Sequence, residues 1–368
     1  MKITAVRVYR KDLPLVVPFE HFASGVVRAL EEVYVRIETD AGVAGVGEAR
    51  GNSHYLTGDT PDAVAAQILQ HLGPRCLGRD PRDLGALLAD LDATVVGLHG
   101  AKSAVDMALH DLVGRAYGVP VFELLGGAVR DALPSNWSLW YGPPDAAARQ
   151  AVDAVAAGFR FLKLRAGLTP FERDLDRVRA VREAVGPEPS LALDANMAWT
   201  PHEALDHVER LARFDLAYVE QPVARDDLAG LRYVTRHSAV PIMADESVLS
   251  LAEVFQLVRD RTVDLLHLKL VKLGGIAGLW RAAAVAEAGG VGIMVGQTNE
   301  GGLATAAAAH CARALGAPYL ELYGAEGLRE DPARGFALRG GCATFPEGPG
   351  LGITLEVAGL HACGTAGT

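Results

Sequence analysis

The sequence predicts an α/β protein: a parallel β/α barrel preceded by a smaller α+β domain. Three observations carry this. Asp194, Glu220 and Asp245 each end a short apolar run (SLALD, LAYVE, PIMAD) at intervals of 26 and 25 residues. Lys269 ends the next run, LLHLK, 24 residues later. About 25 residues is the length of one strand, one covering helix and two short loops. Before about residue 125 the order differs, with strands first and helices after, as in a separate α+β unit.

In chain order, residues 2–10 and 31–39 alternate apolar and polar, as half-buried antiparallel strands do. A turn at Asp40-Ala41-Gly42 leads into a third strand at 43–49. Helices are expected at about 60–71, 81–92 and 100–117. Two stretches rich in small and polar residues, 18–28 and 49–59, read as loops. From about 134, strand and helix alternate strictly. The eight strand runs are 136–141, 159–165, 190–194, 216–220, 241–245, 265–270, 291–296 and 318–323, with helices such as 145–157, 170–185, 201–213 and 278–288 between them. Such near-continuous apolar runs fit a parallel sheet buried on both faces. Residues 326–358 hold turns and one short run, ITLEV, that reads as packing back on the first domain. The final HACGTAGT reads as a frayed end. The expected division is 1–125 for the capping domain, 126–325 for the barrel and 326–368 for the returning C-terminal segment.

Composition narrows the function. The chain has 368 residues and a net charge of −10 without any block of like charge, which speaks against nucleic acid as a partner. Cys76, Cys311, Cys342 and Cys363 show neither metal-ligand nor redox spacing and read as free thiols in a reducing cytoplasm. No apolar stretch reaches membrane-spanning length, and the N-terminus lacks the apolar segment of a signal peptide. These features point to a cytoplasmic enzyme acting on a small molecule.

Functional residues of β/α barrels sit at the C-terminal strand ends. Asp194, Glu220 and Asp245 would there form an oxygen-rich cluster suited to Mg²⁺, with Mn²⁺ as the alternative. Lys163 and Arg165 end strand two, diametrically opposite Lys269 on strand six. A metal-bound substrate would thus meet cations on both faces. That layout suits proton transfer next to a carboxylate, because the enolate needs strong electrostatic stabilisation. Any single acid at a strand end could instead be a helix cap, but three in register with a following lysine are hard to explain that way. His267, one layer below Lys269, reads as a core histidine. Lys272 reads as structural or outward-facing. Trp137 and Trp140 differ in parity, so one of them at most should face the pocket.

The set Asp194-Ala195-Asn196, Glu220-Gln221-Pro222, Asp245-Glu246-Ser247 and Lys269 through Gly275, with the two N-terminal loops and the closing GPGLGI (348–353), resembles the enolase superfamily in its muconate-lactonizing-enzyme subgroup, over nearly the whole chain. The resemblance implies a modified TIM-type (β/α)7β barrel with an N-terminal α+β capping domain. It implies a small carboxylate substrate, a homo-oligomer (dimer or octamer), and the metal set and Lys269 acid/base given above. Substrate contacts would come from Glu321, Glu300, Asn196 and Trp137, and from His21, Phe22, His54 and Tyr55 in the two cap loops. One departure stands out. Strand two reads Lys163-Leu164-Arg165, where the subgroup usually has a second lysine. Arginine is a poor base, so Arg165 is either an electrostatic support or replaced in its role by Lys163. The leading expectation is a muconate-type cycloisomerase. Alternatives are a racemase or epimerase of N-acyl amino acids, dipeptides or betaines, a hydroxy-acid dehydratase, and a non-catalytic metal or ligand binder.

Overall fold

The computed structural model describes residues 1–21 and 25–367; Phe22 and the side chain of His21 lie outside the described part. The first domain is built on β1 (Ile3–His21), β2 (Gly25–Thr39) and β3 (Ala44–Arg50), joined antiparallel in that order. The helix His99–Tyr117 packs on β3. Gly45 and Gly47 allow the close approach: a Cβ at Gly47 would lie 1.9 Å from the Ala104 carbonyl oxygen. Asp111 of that helix is fully buried and accepts from the backbone N–H of Val46 and of Leu351, at 2.9 and 2.7 Å. One side chain thereby ties the cap sheet to the C-terminal segment.

Two stretches differ from expectation. Residues 18–28 are not a free loop: β1 and β2 stay paired out to Glu20 and Val26. Apolar positions Leu13, Leu15, Phe19, Val27 and Leu30 bury one side of this long hairpin against Trp140 and Leu328, which holds it as strand. The chain end is not frayed either. His361–Gly367 pairs antiparallel with β1, from Arg10 to Ala5. The free edge of β1 supplies the hydrogen bonds that small side chains alone could not signal.

The second sheet has eight parallel strands in sequence order: β4 (Trp137–Leu139), β5 (Phe161–Arg165), β6 (Ser190–Asp194), β7 (Leu216–Glu220), β8 (Ile242–Ala244), β9 (Leu265–Lys269), β10 (Gly292–Gly296) and β11 (Tyr319–Leu320). The curled sheet brings its first and last strands together: the Asn136 N–H donates to the Leu320 carbonyl at 2.8 Å. The Leu322 N–H donates to Ser135 Oγ at 2.9 Å. Covering helices start on side-chain caps at Thr200, Asp227 and Ser250. Among the described residues no helix is long and apolar enough to cross a membrane.

Period-two alternation orders the interior. Ala192, Tyr218, Met243, Leu265 and Met294 form an apolar plug. Two residues further along their strands come Asp194, Glu220, Asp245 and His267, and Lys269 lies two beyond His267. The plug closes the barrel from below, so the polar layer above it is water-poor by construction.

Truncation after Leu360 would uncover the edge of β1. It is expected to lower the melting temperature by roughly 5 °C and to promote association. An unchanged melt by circular dichroism and a monodisperse elution profile would show that the terminal strand contributes little.

Candidate active site

The polar layer is a buried charge network. Asp194, Glu220, Asp245, Glu246 and Glu321 contribute five carboxylates, none more than 4% exposed. Lys163, Arg165, Lys269 and Lys272 contribute four cations, none more than 6% exposed. Lys163 reaches three of the acids: its Nζ lies 2.5 Å from Glu321, 3.1 Å from Glu220 and 3.4 Å from Asp194. Lys269 lies 2.7 Å from Asp245. Lys272 is neither outward nor exposed. It donates to the Asp245 carboxylate at 2.5 Å, to the Asp245 carbonyl at 2.6 Å and to the His267 carbonyl at 2.9 Å. It clamps the residue that Lys269 also touches, because the single helical turn after β9 curls it back under the strand end.

His267 is more than a core histidine. Its Nδ1 lies 2.8 Å from Glu220. Ligand atoms of Glu220, Asp245 and His267 all fall within 4.8 Å of one another. Its Nε2 has no partner. Burial, then the neighbouring Lys269, holds the ring well below its usual pKa and so neutral.

Backbone turns aim the acids. Asn196 and Gln221, just beyond Asp194 and Glu220, have φ of 44° and 35°, a region that costs energy for non-glycine residues and clusters at functional sites. Gln221 then uses its whole amide: Oε1 accepts from the N–H of Asp245 and Ser247, and Nε2 donates to Val223 and Ser247. This residue sets the spacing between the ends of β7 and β8.

The excess of acid over base has a visible locus. Glu246 is 2% exposed and its Oε2 lacks any partner. Burial, then the charges of Asp245 and Asp194, pushes its carboxyl up to about 8. Burial and the neighbouring Glu220 push Asp194 up to about 6. Glu321 goes the other way: burial opposes ionisation, yet Lys163 and Lys269 hold it down to about 2. A hard divalent cation fits this donor set, since it would take up the unmatched negative charge and the orphaned oxygen.

A narrow cleft above the network is lined by Tyr55, Arg165, Asp194, Asn196, Lys269 and Asn299, among others. Arg165 sits 3.7 Å from Asp194, 3.4 Å from the Asn196 side-chain oxygen and 3.5 Å from the Tyr323 hydroxyl. Lys163 lies deeper and does not line the cleft. Of the expected substrate contacts, Asn196, Glu321 and Tyr55 line this cleft. Trp137 lines the next cavity outward, and Trp140 joins it there. β4 ends at Leu139, so strand parity no longer separates the two tryptophans.

Two expected contacts lie elsewhere. His54 is exposed on the outer side of its short helical turn, beside Val26, Arg28 and Pro61, while Tyr55 and Leu56 face inward. Glu300 is buried at the contact between the two domains, where its charge meets those of Glu32 and Arg50. The left-handed turn at Asn299 (φ 56°) presents that residue to the cleft instead. Phe22 and the His21 side chain fall outside the described residues. Sequence reasoning missed Glu246, Tyr323 and Gln221. Glu246 and Gln221 stand inside quoted triplets, and Tyr323 lies two residues past Glu321, just beyond the end of β11.

Comparison with known proteins agrees with this geometry. Residues 3–126 match the mandelate racemase/muconate lactonizing enzyme N-terminal domain, and residues 146–358 match the enolase C-terminal domain-like family. The chain belongs to the mandelate racemase/muconate lactonizing enzyme family of the enolase superfamily. It is 36% identical over 364 residues to L-Ala-D/L-Glu epimerase of Bacillus subtilis, covering 96% of this chain and 97% of that one. The substrate-liganded structure of that enzyme superposes with a TM-score of 0.92 at 35% identity, over 100% of both chains. It is 33% identical to chloromuconate cycloisomerase of Cupriavidus necator, covering 97% of each. The dipeptide epimerase of Enterococcus faecalis, solved with Mg and L-Leu-L-Tyr, superposes with a TM-score of 0.92 at 34% identity, over 96% of this chain and 100% of that one. Members of the family in hand are thus isomerases, and so is this enzyme.

Mg²⁺ at a hundred times its dissociation constant is expected to stabilise the fold by about 2.7 kcal/mol, a rise of roughly 3–4 °C in melting temperature. Asp194→Asn should remove most of that rise. Differential scanning fluorimetry against a Mg²⁺ series checks both, and a flat response in the unaltered protein would refute the metal assignment.

Proposed function

We propose that the enzyme moves a proton at the carbon next to a substrate carboxylate, with Lys269 transferring the proton and Arg165 acting as a fixed charge on the opposite face. The observation that carries this reading is that Lys269 and Arg165 both line one cleft, with the acids of β6 to β8 between them. Asp194, Glu220 and Asp245 would hold Mg²⁺ or Mn²⁺, with Glu246 and His267 beside them. Such an ion, when bound, stabilises the negative charge of an enolate.

The two faces are chemically unequal. Arg165 is buried among Asp194, Asn196 and Tyr323 and stays protonated. Burial would discharge it, but Tyr323, Asp194 and Glu321 hold its pKa well above the ordinary value. Lys163 is engaged by three carboxylates below the cleft. Lys269 therefore remains as the proton-transfer group. Burial alone would lower its pKa; Asp245, Glu321 and Glu220 more than reverse that. It is held protonated in this network, and in the proposed reaction that proton goes to an enolate carbon on its own face. Reactions that need one face suffice with this equipment. In lactonisation of a muconate-type substrate, one carboxylate oxygen closes on a double bond and the lysine protonates the neighbouring enolate carbon. Tyr55 and Asn196 would bound the substrate within the cleft.

A second reading, epimerisation of a dipeptide or N-acyl amino acid, is favoured by the 36% identity to the Bacillus subtilis epimerase. Inversion needs a second proton relay on the Arg165 side, and position 165 is where the chain lacks a lysine.

Lys269→Ala is expected to reduce turnover by about 10²–10⁴-fold with an unchanged circular dichroism spectrum. Proton NMR in D₂O with Mg²⁺ over muconates, N-acyl amino acids and dipeptides should show deuterium entering from one face only. Arg165→Lys should allow entry from both. Full turnover in Lys269→Ala would sink the reading.

A further inference from the structure

We propose that the substrate carries, beyond its reacting carbons, a bulky aryl-type group without negative charge, seated in a groove along Trp137 and Trp140. This rests on the enolate reading above and adds the substrate class, which that reading leaves open.

The cleft over the charge network does not end at Asn299. That residue also lines a cavity of about 220 Å³ formed by Leu15, Phe19, Trp137, Trp140 and Tyr323. Phe19, Trp137 and Trp140 in turn line a groove of about 890 Å³ that runs on to Phe159, Leu338 and Gly341. The three cavities adjoin one another through shared lining residues, from the reacting end outward. A six-carbon diacid bound at the charge network would leave most of it empty, since pockets of a few hundred Å³ and more suit much larger ligands.

The walls state what fills it. Phe19 stacks on Trp140 with centroids 4.9 Å apart, and Trp137 lies 4.8 Å from Phe159. These flat faces are held in place before any ligand arrives, which suits an aromatic ring. At the mouth, Val16 and Val17 of the β1–β2 hairpin are 54% and 67% exposed.

Charge decides the rest. Among the described residues, no lysine, arginine or histidine lines either cavity. Glu20, Asp153 and Glu326 stand at the groove instead. Arg165 approaches Trp140, 5.3 Å from the ring centroid, but it lines the reaction cleft and is held there by Asp194, Asn196 and Tyr323. A second carboxylate in the groove would lose its water, meet no cation among the described residues and face like charge. Among the described residues, the cations thus stand at the reacting end and none lines the far end.

Three carboxylates test this without assuming the reaction: butanoate, 4-phenylbutanoate and adipate, each titrated with Mg²⁺ present. Trp137 and Trp140 are two of the four tryptophans, so quenching of intrinsic fluorescence reports binding where it is expected. 4-Phenylbutanoate should bind at least about tenfold more tightly than butanoate, and adipate should gain nothing over butanoate. Ala154→Trp, which fills the groove from the helix Pro144–Ala156, should cut the phenyl advantage to below about threefold. Leu338→Lys, on a surface hairpin less able to disturb folding, should do the same and tighten adipate. Adipate matching 4-phenylbutanoate, no measurable gain from the phenyl group, or an unchanged advantage in both variants would overturn the proposal. Failure of the enolate reading shows up separately, as turnover that survives Lys269→Ala, whatever these affinities are.

Discussion

Charge compensation in the barrel mouth is the constraint on which the rest of the structure depends. Burying one ion without a partner costs several kcal/mol, and here nine ionisable groups are buried together. No pair is independent. Asp245 is held from two directions by Lys269 and Lys272, while Lys163 serves three acids at once. Removing Lys163 would leave three carboxylates without their shared cation, so the network ties the ends of several strands to one another. The apolar plug below and the cap above keep water from relieving it. The same isolation that makes the network costly makes each remaining field strong at a reacting carbon.

Much of this was legible in the sequence, and the reason is periodicity. A β/α unit has a nearly fixed length, so Asp194, Glu220, Asp245 and Lys269 announce themselves by spacing. Period two then assigns Lys163 and Arg165 to the inner face. What was not legible depends on contacts between distant segments. The pairing of His361–Gly367 with β1 has no local signal, because glycine and alanine carry no pattern. The continuation of the hairpin through Phe19 and Val27 is decided by Trp140, more than a hundred residues away. Glu300 turns toward the cap because Asn299 takes a left-handed conformation, which no propensity would assign there. Lys272 and His267 look ordinary in the sequence and become informative only once Asp245 and Glu220 are seen beside them.

The site is divided between two parts of the fold. The arc from β6 to β9 supplies Asp194, Glu220, Asp245, Glu246, Lys269 and Lys272, from strands locked in register by Gln221 and by the plug. The seam where β4 meets β11 supplies the opposite face. There Ser138 and Tyr323, 185 residues apart in sequence, share a hydrogen bond of 2.7 Å, and Tyr323 reaches Arg165 at 3.5 Å. The long hairpin of the cap lies over this seam and brings Phe19 to Trp140. Position 165 and the outward groove are therefore served by the same elements.

That coupling bears on the Lys163-Leu164-Arg165 run at the end of β5. A lysine at 165 would be a compact charge on a flexible stem, able to give up a proton. The arginine is planar, permanently charged and engaged by Asp194, Asn196 and Tyr323, with Trp140 against it. It cannot move a proton, but it can fix the position of Trp140, and through Trp140 that of Phe19. On the proposed reading, arginine rather than lysine at this position gives up acid/base capacity on one face and supports an aromatic wall leading away from the reaction centre. A one-faced reaction on a substrate with a bulky apolar end, as proposed above, would use both halves of that exchange, whereas inversion would need the proton relay that Arg165 does not supply.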